Sequence, residues 1–272
     1  MFDFGTLELG IWQWVLLGLC AFMVGLSKTG MPGVGILVVL IAAMVMPPKA
    51  SVGLVLPLLI FADLFAAAYY HRKAHWNHIA RLIGFAIVGI VAAHDTLGRI
   101  NDRQLKPIIG LIVLVLLAVS TWNNSRKSAA LQYDHTSALN RWMFAIVFGF
   151  LAGYTTMMAN AAGPIMIVYL LAVGLPKLEF VGTTAWFFFI MNWLKVPFQS
   201  NLQMITPESL KIDLFLFPFV VIGAVGGIFL VRHILQKLFN AAVTILAAAA
   251  ALWMVVSWLV WIVMSWLPGQ GS

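Results

Sequence analysis

The chain has 272 residues, of which 62% are hydrophobic and only 9% are charged. Several apolar runs are long enough to cross a bilayer, so the composition indicates an all-α, polytopic membrane protein and excludes a soluble one. The formal charge of +7 comes from Lys and Arg in short loops between those runs. This pattern is expected of a protein oriented in a lipid bilayer and does not indicate nucleic-acid binding.

The first long apolar segment, residues 11–46, is interrupted by the sequence GLSKTGMPG at residues 25–33. An unbroken helix of this length would be roughly 50 Å long, whereas the hydrocarbon core is only ~30 Å thick. Pro32 removes a backbone donor, and Gly30 and Gly33 relax the backbone. The sequence therefore predicts two shorter helices, about 12–26 and 32–46, that meet at membrane depth.

The break between these helices has the features of an anion site. Thr29 or Gly30 can cap the second helix and Pro32 suits its first turn, which leaves free N–H groups and the positive end of the helix dipole facing the break. Lys28 adds a full positive charge there, and an ionisable residue inside a transmembrane segment is a functional-site hypothesis. In the alternative interpretation, Lys28 snorkels to the interface and only helps orientation.

The remaining apolar runs of the first half are 51–70, 82–97 and 106–122. Asp63 lies well inside the first of them, where a charge is costly without a partner, so we expect it to pair with Lys28. The pair could be purely structural, or protonation of Asp63 could free Lys28 for substrate. At the end of the second run, His94 and Asp95 either handle substrate or protons or lie at the surface, and Asp95 with Arg99 favours an ordinary helix-surface contact.

A polar interval, residues 123–141, separates this half from a second half with the same architecture. Its first segment, 142–173, is too long for one span and is interrupted at 153–164, and apolar runs follow at 180–198, 212–231 and 238–266. Thr155, Thr156 and Asn160 are close enough to this break to donate to an anion, or they satisfy the freed backbone groups. The predicted domains are a first membrane repeat (1–122), a polar linker (123–141) and a second membrane repeat (142–272).

Matching residues at a few positions indicate that the two halves are an internal repeat. Val-Gly pairs end at Gly53 and Gly182, and ten residues beyond each glycine stand Asp63 and Asn192. If each broken segment enters and returns as a hairpin, the repeats become inverted and positive residues are in excess on the linker side. This predicts a cytoplasmic linker and termini outside the cytoplasm. Lys195 is counted here among the charges that flank the spans.

Other chemistry is not indicated by the sequence. Residues 1–10 contain no Lys or Arg, so we expect no cleavable signal peptide, and Cys20 is expected to be a packing residue. His71, His75 and His78 lie in a basic loop without a Cys or carboxylate companion in sequence, so no metal site is predicted. There is no nucleotide-binding glycine loop and no hydrolytic constellation, so we expect neither an enzyme nor a cofactor.

The glycine and proline motifs carry a family resemblance. The stretch at residues 25–33, the Val-Gly pair that follows and Asn-Ala-Ala-Gly-Pro at 160–164 resemble the sulfite exporter TauE/SafE family of membrane transporters over nearly the whole chain. The resemblance implies a bacterial inner-membrane carrier for sulfite, sulfonates or related organosulfur anions. Its signatures fall on Lys28, Thr29, Gly30, Pro32 and Gly33 in the first half, and on Asn160, Gly163 and Pro164 in the second.

We therefore expect a secondary transporter whose substrate is held at the midplane between two broken helices. The alternatives are an anion-selective channel, which would use the same helix ends, and an intramembrane enzyme, against which the absence of paired catalytic groups argues. The sequence leaves open the direction of transport, the coupling ion, the preferred anion, and whether the protein is a monomer or a homodimer.

Overall fold

The computed structural model describes residues 9–31, 34–101, 104–105, 108, 111, 138–233 and 256. Its ordered elements are all helices, which confirms the predicted all-α class. They are α1 (Ile11–Thr29), α2 (Gly35–Val45), α3 (Pro48–Tyr69), α4 (Trp76–Arg99), α5 (Ala138–Ala159), α6 (Gly163–Val173), α7 (Lys177–Asn201) and α8 (Pro207–His233).

Five of these helices are long and apolar enough to cross a membrane, within the part of the chain that the structure describes. They are α1, α3, α4, α5 and α8, and they make the chain a multi-pass membrane protein. The predicted runs at 106–122 and 238–266 lie outside the described residues except for a few positions, as does most of the linker. The helices α4 and α5 begin earlier than the apolar runs predicted, because polar residues at a membrane surface can extend a helix without extending its apolar stretch.

The first broken segment folds back on itself as a pair of antiparallel helices. Gln13 Nε2 lies 3.4 Å from the carbonyl oxygen of Val45, and Cys20 Sγ lies 3.8 Å from that of Val38. The start of α1 is therefore beside the end of α2. Helix α1 continues to Thr29, three residues beyond its predicted end, and the break follows at residues 30–34.

The second broken segment has the same form. Helix α5 ends at Ala159 and α6 begins at Gly163, so the break is shorter than the predicted interval 153–164. Asn160 ends α5 in the left-handed region with φ of 53°, a conformation that asparagine tolerates better than most residues. The rings of Phe148 in α5 and Tyr169 in α6 lie 5.8 Å apart, so these two helices also run antiparallel.

Helices α1 and α8 cross at very close range through glycine. A Cβ atom added to Gly25 would overlap the carbonyl oxygen of Val220, and one added to Gly223 would overlap that of Phe22. Small residues allow such backbone approach between membrane helices, where van der Waals packing drives association. The first helix of the first hairpin is thereby fixed to a helix of the second half.

Helices α4 and α5 cross in the same way. A Cβ atom on Gly153 would overlap the carbonyl oxygen of Ala86, and one on Gly89 would overlap that of Phe150. The first helix of the second hairpin is thus fixed to a helix of the first half. Together the two crossings tie the halves to each other around the space where both breaks lie.

Candidate functional site

Lys28 and Asp63 form a buried ion pair beside the first break. The Lys28 Nζ lies 2.9 Å from Asp63 Oδ1, and the two side chains are 10% and 0% exposed. The ammonium group also lies 4.2 Å from the ring centroid of Phe188, a cation–π distance. The pairing expected from the sequence is present, so Asp63 already balances the charge of Lys28.

Asn192 links this ion pair to the second half of the chain. Its side chain is buried, and Nδ2 donates a hydrogen bond to Asp63 Oδ2 at 2.5 Å. The two positions that the repeat pattern equates are therefore in direct contact. Asn192 Oδ1 has no hydrogen-bond partner among the described residues.

Lys195 is a second buried lysine. The sequence pattern predicts that it flanks a span, and this prediction is wrong, because its side chain is 0% exposed inside the protein. Its Nζ donates to Asn160 Oδ1 at 2.6 Å, Thr156 Oγ1 at 3.0 Å and Thr156 O at 3.2 Å. Three acceptors match the three donors of a lysine ammonium group. The described residues contain no carboxylate in an ion pair with it.

A signal in the sequence could have located Lys195. The apolar run appeared to end at residue 198, which put Lys195 near a membrane surface, but helix α7 continues to Asn201. Lys195 follows Asn192 by three residues, and residues at that spacing lie on the same helix face. A lysine that shares a face with a predicted site residue is a candidate for the same site.

Asn160 and Thr156 connect Lys195 to the second break. Asn160 Nδ2 donates to the carbonyl oxygen of Val52 at 3.0 Å, which fixes the amide orientation so that Oδ1 accepts from Lys195. No described residue accepts a hydrogen bond from Thr156 Oγ1, so its proton is available to a ligand. The neighbouring Thr155 differs, because its hydroxyl donates to Leu151 O at 2.8 Å within its own helix.

A cavity of about 40 Å³ lies between the two hairpins, α3 and α7. It is large enough to hold water or a small polar group. Its polar lining residues come from both halves and are Ser27, Lys28, Thr156, Asn160, Thr184 and Asn192. Gly163 also lines it, as does Gly35 at the start of α2.

Other predicted residues of the first signature face elsewhere. Thr29 Oγ1 donates to Ala224 O at 2.7 Å, and Thr29 O accepts from the Tyr70 hydroxyl at 2.8 Å, so Thr29 packs against its neighbours rather than lining the cavity.

The prediction that Thr29 or Gly30 caps α2 is wrong, because α1 extends through Thr29 with Gly30 as its C-cap and Val34 is the N-cap of α2. Pro32 and Gly33 lie outside the described residues, and Pro164 lies in α6 with its side chain undescribed.

The polar groups near the membrane surfaces form local contacts. Arg99 and Asp95 make an exposed ion pair at 2.8 Å, which is the surface contact that the spacing favoured. His75 Nε2 lies 2.5 Å from Glu179 Oε2, so this histidine has a carboxylate companion from the other half. Among the described residues no group of three His, Cys, Asp or Glu side chains could hold a metal ion.

A comparison with protein-family models tests the resemblance of the motifs. The model described as Sulfite exporter TauE/SafE matches residues 17–254. The chain belongs to the sulfite exporter TauE/SafE family. The corresponding comparisons with curated proteins and with solved structures find no match.

Membership of the TauE/SafE family gives the chain a coarse function. The matched range includes the breaks of both hairpins and every residue that lines the cavity. The protein is therefore a membrane transporter of a family that exports sulfite and related sulfur anions. In this TauE/SafE protein, residues next to the break of each hairpin line the same cavity, with Lys28 in its wall and Lys195 behind Thr156 and Asn160.

Proposed function

We propose that the protein exports sulfite or an organosulfonate anion across the bacterial inner membrane, and that the anion binds in the cavity between the two hairpins. The observation that carries the proposal is a cavity lined by polar side chains from both halves, with Lys28 in its wall and Lys195 directly behind Thr156 and Asn160. Buried cations in a membrane protein mark ion or substrate pathways.

The groups around the cavity suit an anion with several oxygen acceptors. Lys28 has three ammonium protons, more than its ion pair with Asp63 requires, and the Thr156 hydroxyl proton has no acceptor among the described residues. The cavity also lies beside the first residues of α2 and α6, where backbone N–H groups have no partner within the helix. The three oxygen atoms of sulfite are acceptors of the kind that such donors bind.

We further propose that the halves are inverted repeats that alternate around this site. In support, Phe22 and Gly25 take part in one glycine crossing as Phe150 and Gly153 do in the other, with the same three-residue spacing. Their partners, Val220 with Gly223 and Ala86 with Gly89, also share that spacing. Transporters built from inverted repeats place their substrate at the interface between the repeats.

Export of a monovalent anion needs no coupling ion. A membrane potential of ~100 mV, negative inside, favours the outward movement of one negative charge by about 2.3 kcal/mol, enough for roughly a forty-fold gradient. The ion pair of Asp63 with Lys28 would then set the charge of the site rather than carry a proton on each cycle.

The Thr156 hydroxyl provides a direct test of the site. We expect sulfite to raise the melting temperature of the purified protein, because a ligand that binds only the folded state stabilises it. Thr156→Val removes, at nearly constant shape, the hydroxyl that donates to the charged ligand and accepts from Lys195, so sulfite affinity should fall by about tenfold to a hundredfold. Thr155→Val is the matched control, because that hydroxyl is bonded within its own helix and the residue does not line the cavity.

The same measurement separates the outcomes. Sulfite affinity that falls equally in both variants would place the anion elsewhere. A response to carboxylates or to cations, with none to any sulfur anion, would contradict the proposed cargo.

A further inference from the structure

We infer that the cavity selects the protonated, singly charged form of sulfite, hydrogensulfite, and rejects dianions. This inference rests on the proposed function, because it specifies the ligand of the same site. Two independent features carry it, namely the charge of the groups around the cavity and an acceptor atom that lacks a donor.

The first feature is the sum of the charges. Lys28 on α1 and Asp63 on α3 form an ion pair whose charges balance, and Lys195 on α7 adds at most one positive charge, so the cluster carries at most one net positive charge. The described residues of α2, α5 and α6 present no charged side chain to the cavity, and Asp213, the other buried carboxylate on the described helices, does not line it. A monoanion therefore has the largest negative charge that the site can neutralise, whereas a dianion leaves at least one negative charge uncompensated where the dielectric constant is low.

Lys195 adds at most one positive charge to the site. Its Nζ lies within hydrogen-bond distance of three oxygen atoms. Two of them, Asn160 Oδ1 and the carbonyl oxygen of Thr156, can only accept, and the orientation of the Asn160 amide is fixed by its hydrogen bond to Val52 O. The ammonium form donates to all three oxygens, whereas a neutral amine would donate to these two and accept from the Thr156 hydroxyl, so the limit of one positive charge holds in either form.

The second feature is the carbonyl oxygen of the Asn192 side chain. Asn192 is 1% exposed and lines the cavity, and its Oδ1 has no partner among the described residues. The amide cannot turn round to hide this oxygen, because its Nδ2 donates to Asp63 Oδ2. Hydrogensulfite carries one proton that can be donated to Asn192 Oδ1, whereas sulfite and sulfate dianions carry none. A buried acceptor left without a donor weakens binding.

The test is the affinity of the purified full chain for sulfite, methanesulfonate and sulfate at a series of pH values, read from ligand-induced stabilisation. Sulfite loses its second proton near neutral pH, whereas methanesulfonate stays a monoanion and sulfate a dianion. We expect the affinity for total sulfite to fall by about tenfold per pH unit once the dianion predominates. Methanesulfonate has no proton to donate to Asn192 Oδ1, so it should bind more weakly than hydrogensulfite, with an affinity that does not change with pH, and sulfate should not bind.

Three results would overturn the inference while leaving the proposed function intact. The first is a sulfite affinity that does not fall as the pH rises. The second is a parallel fall in the affinity for methanesulfonate, because the titrating group would then belong to the protein. The third is tight binding of sulfate. Failure of every sulfur anion to bind at any pH would instead overturn the proposed function itself.

A charge change within the site gives a second, independent test. Asp63→Asn raises the net charge by one while an amide replaces the carboxylate at similar size, so sulfate should bind at least tenfold more tightly and the fall of sulfite affinity with pH should weaken. The matched control is Asp95→Asn, the same substitution at the exposed pair with Arg99, which should behave as the unmodified protein. If Asp63→Asn does not fold, Lys28→Met combined with Asp63→Asn keeps the net charge and should keep the preference for monoanions; sulfate binding by that variant would overturn the inference.

Discussion

Lys195→Met is expected to reduce the affinity for sulfite by about a hundredfold or more, an effect of about 3 kcal/mol. The substitution keeps an unbranched side chain of similar length but removes the cation that compensates the ligand. Lys28 and Asp63 then balance each other, so the site has no net charge. Thr156 Oγ1 and Asn160 Oδ1 also lose the donor that holds them in place. The result would be read from ligand-induced stabilisation and from sulfite flux in proteoliposomes.

The control for this experiment is Lys211→Met on α8. Lys211 is exposed, so the variant loses the same formal charge at a site far from the cavity lining. We expect its affinity for sulfite to be unchanged. Lys195→Met that elutes as a folded protein and still binds sulfite with full affinity would show that the second lysine only supports the fold.

Gly153→Ala should lower the free energy of unfolding by about 3 kcal/mol, at the upper end of what overpacking costs. The added Cβ atom overlaps the carbonyl oxygen of Ala86, which is backbone and cannot move aside without parting α4 from α5. Because α5 leads into the second break, the displaced helix should also disturb the cavity. The measurement is the melting temperature in detergent, together with sulfite binding.

Gly84→Ala on α4 is the matched control for the crossing. Nothing lies within 4 Å of a Cβ atom added to Gly84, so the change adds helix propensity without a clash. This variant should be as stable as the unmodified protein or more stable by up to about 1 kcal/mol. Equal melting temperatures for the two variants would contradict a close crossing of α4 and α5 at Gly153.

Features that depend on length and local charge were predictable from the sequence. A single helix over residues 11–46 would be longer than the bilayer is thick, so the length of this segment predicts a break near Gly30. Asp63 needed a partner within the membrane, and Lys28 was the cation nearest to a predicted site. In both cases one stretch of sequence held enough information to limit the answer.

Features that depend on packing between distant helices were not predictable. Threonine is a residue type that often caps helices, but the Thr29 hydroxyl donates to the carbonyl oxygen of Ala224 in α8. Nothing near Thr29 in the sequence specifies that neighbour. The apolar run ends soon after Lys195, so the sequence predicts a charge at the edge of the membrane. In the structure, Lys195 and Asn192 on the same helix face are buried against α5 and α3. The removal of Lys195 from the charge count leaves the linker side with a larger excess of positive residues.

The polar interior of α7 also bears on how the protein is made. Helix α7 is 25 residues long, yet it is not among the described helices that are apolar enough by composition to cross a membrane. A lysine within a transmembrane helix opposes insertion, by up to about 2.5–3.5 kcal/mol at the helix centre and by less towards an end. The acceptors for α7 lie on α3 and α5, which emerge from the ribosome earlier. We therefore expect α3 and α5 to be in the bilayer before α7 is released into it, because the buried polar side chains of α7 then find their partners.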